Sequence, residues 1–161
     1  MGNYNSSYTG EQIDAAVAAS AFKGALVTRI TSNVDVGTAT YGAVQFNNVE
    51  YDRGGFADLG TYPTRLTIPA GVSMVKLATN IKLASSTFST TILTIYKNGA
   101  LFEGMPQQRL IQIDADLTMN QSSAVVPVVE GDYFEVRVYT AAGYDVVGGQ
   151  NTSWFSIEVV E

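Results

Sequence analysis

Cysteine and histidine are both missing from this chain of 161 residues. Without cysteine there is no disulfide and no thiolate metal site, and the redox compartment stays open. Without histidine the usual general base, the commonest metal ligand and the Ser-His-Asp triad are excluded. Charge is scarce. Asp, Glu, Lys and Arg make up 15% of the residues, nine basic against fifteen acidic, for a net charge of −6. A basic track for nucleic-acid phosphates is therefore not expected. Apolar runs are short as well. None approaches the roughly 20 residues of a membrane span, so no membrane insertion is expected. The polar N-terminus lacks the apolar stretch of a signal peptide.

What is plentiful is Gly, Ser, Thr, Asn and aromatic side chains, a balance that suits a β-rich extracellular or virion protein. The stretch that organises the rest is G-D-Y-F-E-V-R-V-Y from Gly131. Phe134, Val136 and Val138 fall on one side of an extended chain, and Tyr133, Glu135, Arg137 and Tyr139 on the other. Gly131 and Asp132 supply the turn that launches it.

One helix is expected, over residues 9–21. Thr9 and Gln12 form a capping box, Tyr8 and Ile13 a hydrophobic staple, and the body is rich in alanine. Ile13, Ala16 and Val17 lie on one face, with Ser20. A helix this short needs a partner. The stripe either docks on its own domain or meets copies of itself in a short parallel bundle, where small alanines allow close approach.

Downstream of Gly24 the pattern is that of strands. They are expected over residues 25–31, 43–52 with a bulge after Asn47-Asn48, 64–68, 73–83, 91–97, 110–117, 123–129, 131–139 and 153–160. Asn98-Gly99 reads as a hairpin turn, and Pro127 marks an edge or a bulge. The connections are too short for parallel crossovers. The fold class is therefore all-β: an antiparallel jelly-roll β-sandwich preceded by one short N-terminal helix. Residues 1–23 form a tail and helix for linkage or attachment, and residues 24–161 the jelly-roll domain.

Five motifs in order resemble the jelly roll of complement C1q and the tumour necrosis factor superfamily. They are V-Q-F-N-N-V from Val44, L-T-I-P-A-G-V from Leu66, Y-K-N-G from Tyr96, V-V-P-V-V-E-G-D-Y-F-E-V from Val125 and S-W-F-S-I-E-V-V from Ser153. The chain departs from that pattern at Ser73-Met74, where an aromatic is usual, and at Ser156-Ile157, where a glycine is common. Upstream, Y-T-G-E-Q-I-D-A-A-V from Tyr8 is similar to a linker helix of phage tail-fibre and head-fibre proteins. The resemblance implies a homotrimeric knob, joined through its N-terminus to a fibre shaft or to a capsid or tail protein.

Candidate chemistry is thin. Asp114 and Asp116 share a strand face and could hold Ca²⁺ or act as an acid/base pair, but a solvated strand face explains them as well. No serine has an imidazole to activate it. No cofactor, no metal and no enzymatic activity are expected. The aromatics say more. Tyr133, Tyr139 and Trp154 point away from the expected core. They serve either a bound target or contacts between protomers, so with Ile13, Ala16 and Val17 they are the candidate trimer contacts. Loops 52–62 and 141–152 are the candidate receptor-facing surface, through Phe56, Tyr62 and Tyr144. The expected role is multivalent binding of a host-surface glycan or protein from a phage virion. The alternative is a secreted complement-like lectin or ligand of a cell. A polysaccharide-degrading spike would need a carboxylate pair in a groove.

Overall fold

A computed structural model describes residues 9–19, 21–84, 89–105, 107–112, 116–141, 143, 145–149 and 152–160. Helix α1 (Gly10–Ala19) comes first. Its capping box forms in both directions: the Thr9 N–H donates to Gln12 Oε1 at 2.8 Å, and the Gln12 N–H donates to Thr9 Oγ1 at 3.3 Å. Fourteen strands follow among the described residues: β1 (Gly24–Thr28), β2 (Val34–Asp35), β3 (Tyr41–Ala43), β4 (Asn48–Arg53), β5 (Arg65–Thr67), β6 (Met74–Ala84), β7 (Ser89–Lys97), β8 (Ala100–Leu101), β9 (Gln108–Gln112), β10 (Leu117–Ser122), β11 (Val126–Pro127), β12 (Tyr133–Thr140), β13 (Asp145–Val146) and β14 (Trp154–Val159).

The strands sort into two antiparallel sheets. Sheet A runs β4, β1, β14, β6, with β10 and β11 on the far side of β6 and the β13–β2 pair at its C-terminal end. Sheet B is built on β12, which pairs with β7 along one edge and with β3 and β5 along the other; β8 and β9 pair with β7 beyond it. The period-two pattern explains how the sheets close on each other. On β6, Val75, Leu77, Thr79, Ile81 and Leu83 are buried while Met74 and Lys76 are exposed. On β12, Phe134, Val136 and Val138 are buried, and on β14 Phe155 and Ile157. Phe46 stacks on Phe155 with ring centroids 6.2 Å apart, and Phe102 meets Phe134 edge-on at 5.8 Å. The two-sheet jelly roll expected from the sequence is the fold observed.

The turns follow from their residues. Asn98 and Gly99 take φ of 53° and 78°, as a two-residue hairpin between β7 and β8 requires. Asn98 is held there by its side chain, which donates from Nδ2 to Asp132 Oδ1 at 2.7 Å and accepts the Tyr133 N–H at 2.9 Å. Pro127 lies on β11, a short strand that among the described residues pairs with β6 alone.

Three expectations need correction. The single strand over residues 110–117 is two strands: β9 pairs with β7 in sheet B, and β10 starts at Leu117 and pairs with β6 in sheet A. Alternation of apolar residues does not say which sheet a strand belongs to, and the chain changes sheets within that stretch. The strand expected over 43–52 is also two: β3 ends at Ala43 in sheet B, residues 44–47 are not strand, and β4 starts at Asn48 in sheet A, so no bulge lies at Asn47-Asn48. The bulge lies at Glu50, where β4 slips register against Leu26 and Val27 of β1. Phe56 is no surface residue. Asp52 accepts the N–H groups of Gly55, Phe56 and Ala57 at 3.0 Å each, which folds the loop back and puts the Phe56 ring into the core at 1% exposure. The glycines around it read as a surface loop by composition, yet they are what lets the chain turn inward.

Candidate functional site

Among the described residues no group of three or more acidic side chains is placed to hold a metal ion. Asp116 pairs with Lys82 at 2.9 Å, and Asp114 lies outside the described residues. Ser73 and Lys76 stand at an S-x-x-K spacing, but along extended chain they turn to opposite faces, whereas the spacing works on a helix. The chemistry worth describing lies on the outer faces of the two sheets.

On sheet A, cross-strand registers set the outward side chains in rows. Tyr51, Leu26, Ser156 and Ala78 form one row; Asn48, Thr28, Trp154 and Asn80 form the next. Leu26, Thr28, Glu50, Tyr51, Trp154 and Ser156 line an open groove between the rows. Its floor is a hydrogen-bonded unit. Asn48 Nδ2 donates to Thr28 Oγ1 at 3.1 Å and to Glu50 Oε1 at 2.8 Å, and the Thr28 hydroxyl donates to the same oxygen at 3.1 Å. The bulge at Glu50 is what brings that carboxylate over β1. Phe22, exposed just before β1, extends the apolar surface by an edge contact with Tyr51 at 5.7 Å.

Sheet B carries a different face, one of tyrosine and arginine. Tyr41 lies 5.3 Å from Tyr139 and 6.1 Å from Tyr96, and the Arg137 guanidinium sits 4.3 Å from the Tyr96 ring centroid. Glu135 faces outward from β12, yet it is only 8% exposed. It accepts from Arg137 at 2.7 Å and from the Thr64 hydroxyl at 2.8 Å. At the end of this face the Arg65 guanidinium lies against two phenol rings, 3.5 Å from the centroid of Tyr62 and 4.4 Å from that of Tyr133. Tyr62 reaches this place on a turn closed by Asp58, whose carbonyl accepts the Tyr62 N–H at 2.7 Å and whose carboxylate accepts the Thr61 N–H at 3.2 Å.

Behind the same edge Asp132 joins the Asn98-Gly99 hairpin to the turn that leads from β11 into β12. Its Oδ2 takes Lys97 Nζ at 2.7 Å and the Val129 N–H at 3.1 Å. Burial alone would push this carboxyl up. The hydrogen bonds from Lys97, Asn98 and Val129, with the charge of Lys97, outweigh burial and hold it below its ordinary value.

The sequence-derived candidates do not form one cluster. Trp154 lies half-buried on the outer face of sheet A, whereas Tyr133 and Tyr139 lie half-buried on the outer face of sheet B. Ile13 and Val17 are 45% and 63% exposed on α1. Ala16 is in that helix, but its side chain is not described, and Tyr144 lies outside the described residues. Tyr62 is 44% exposed on the 52–62 loop. Arg65, Tyr41, Tyr96 and Arg137 were not singled out from the sequence. The signal for Arg65 was present: Leu66 alternates inward in R-L-T, so its neighbour must face out, three residues beyond an exposed tyrosine.

Neither a protein-family model nor a curated protein sequence matches the chain. Solved structures do. Murine APRIL superposes with a TM-score of 0.59 at 10% identity, over 87% of this chain and 100% of that one. Eiger TNF from S. frugiperda superposes with a TM-score of 0.55 at 14% identity, over 87% of this chain and 93% of that one. The fold is a tumour necrosis factor-type jelly roll. At such identities the likeness concerns the arrangement of strands, and the side chains on both outer faces are this chain's own.

Proposed function

We propose that the chain is a non-enzymatic binding module that works as a homotrimer. The outer face of sheet A turns toward neighbouring copies, and the outer face of sheet B with the 52–62 loop is left for a target. The observation that carries this reading is the apolar strip of Phe22, Tyr51, Leu26 and Trp154 on sheet A, on a fold shared with a tumour necrosis factor. An apolar strip of that kind marks an interaction surface. Three sites on one rigid body then give avidity without tight single contacts.

The setting we propose is the surface of a phage virion, as a fibre knob or capsid decoration, with α1 joining it to the shaft or particle. The likeness of residues 8–17 to a phage fibre linker helix supports this. The second reading is a secreted ligand or lectin of a cell, and the likeness to Eiger TNF favours it. Light scattering of the full chain tests the assembly, with about three chain masses expected. A clean monomer at micromolar concentration removes this reading. Adsorption of the labelled protein to bacterial cells, with none to animal cells, is the outcome expected of the virion setting; the reverse supports the secreted one.

A further inference from the structure

We propose that Arg65, with Tyr62 and Tyr133, forms a subsite for an anionic saccharide. The edge of the guanidinium takes a carboxylate or sulfate group, and the sugar ring lies on Tyr62. This deepens the binding-module reading and rests on it.

The first support is geometric. With two phenol rings packed against it at 3.5 and 4.4 Å, the guanidinium is restrained in orientation before any ligand arrives. A planar fork presented edge-on is the arrangement that recognises a carboxylate or sulfate. The second support is that this cation lacks a counter-ion. Among the described residues Arg65 makes no ion pair, and its Nε is buried without a hydrogen-bond acceptor. The carboxylate opposite it across the ladder is Glu135, but Thr64 and Arg137 already occupy both oxygens of that group. Because Nε is buried, an incoming oxyanion meets the two terminal NH₂ groups of the guanidinium and not Nε.

The surroundings choose the class of ligand. Tyr62 gives one ring face to Arg65 and is still 44% exposed, so ring surface remains to stack on a sugar. The outward side chains next to Arg65 are Tyr62, Tyr133, Thr67 and Glu135. They provide hydroxyls and aromatic surface and no aliphatic patch. A protein anchor needs dry, packed apolar surroundings, and this place has none. In a chain of net charge −6 an anionic polymer is repelled by most of the surface, so it needs a cation held in place to land on.

Titration calorimetry on the full chain tests this with four polymers: oligogalacturonate, dextran sulfate, uncharged dextran and poly-glutamate. We expect heat from one or both acidic saccharides, none from dextran, and affinity that falls as salt rises. Oligogalacturonate alone identifies the carboxylate as the bound group; dextran sulfate alone identifies the sulfate. Arg65→Gln should weaken binding by about tenfold or more, and Arg65→Lys should recover only part of it. Tyr62→Ala, at an exposed position, should weaken binding with the melting transition still cooperative. Equal binding of dextran, full binding by the Arg65→Gln protein, or no binding of either acidic saccharide overturns the proposal. Equal binding of poly-glutamate overturns it too, in favour of an acidic protein partner. A trimer that binds no polymer sinks this inference alone, whereas a monomer that binds through Arg65 sinks only the trimeric reading.

Discussion

Phe134 and Asp132 are two residues apart and show how much a single position can carry. Phe134 is fully buried on β12 with the Phe102 ring against its edge. Truncation to alanine leaves a cavity between the sheets and should cost about 3–5 kcal/mol. Urea unfolding followed by tryptophan fluorescence measures it, and a loss under ~1 kcal/mol would mean the side chain faces elsewhere. Asp132 works by charge. Its folded carboxyl binds a proton less readily than its unfolded one, because Lys97, Asn98 and the Val129 N–H favour the ionised form despite burial. The stability it lends is complete above the ordinary value of 3.8 and is lost as pH falls through the lower folded value. The melting temperature of the wild-type protein should therefore drop steeply below about pH 4. Asp132→Asn should remove part of that slope and cost about 1–3 kcal/mol at neutral pH. Parallel acid slopes in the two proteins would assign the acid loss to other carboxylates.

At the scale of elements, the close approach of β3 to the segment after β2 is set by Gly42. A Cβ there would overlap the Val36 carbonyl oxygen, and β3 is held to β12 by only three register positions. Gly42→Ala should cost about 1–3 kcal/mol by forcing the two segments apart, and hydrogen exchange should speed up at Tyr41–Ala43 before it does on β7. Unchanged exchange there would mean the segments separate without cost. β6, β12 and β14 were legible in the sequence because each alternates apolar and polar or aromatic side chains, so alternation alone fixes the type of element and which side chains face the core. Residues 110–117 were misread because two strands in different sheets can share one unbroken alternation. Phe56 was misread because three backbone N–H groups gathered on Asp52 are invisible to composition. Of the candidate site, Tyr62, Tyr133 and Trp154 were visible as outward aromatics. Their separation onto two faces, and the Arg65 stack, depend on which strands lie side by side, and that is a matter of topology.

For the whole molecule the question is what would hold three copies together. Two surfaces compete: the stripe on α1 carrying Ile13 and Val17, and the face of sheet A around Trp154. The helix is ten residues long, and so short a helix is marginal on its own in water. The sheet face is rigid before association, so its side chains lose less entropy on burial and each apolar contact counts for more. Removing residues 1–20 tests the balance, and the cut must stop there. Phe22 packs on Tyr51, and the Lys23 carbonyl accepts the Val159 N–H at 3.0 Å. The shortened chain should keep about three chain masses at micromolar concentration and dissociate only on further dilution. Trp154→Arg in the full chain should instead give monomers at the same concentration, since it replaces the indole at one end of the apolar strip by a charge. If the truncation alone yields monomers and the arginine variant stays assembled, the helices hold the particle together and the groove on sheet A is free for a ligand.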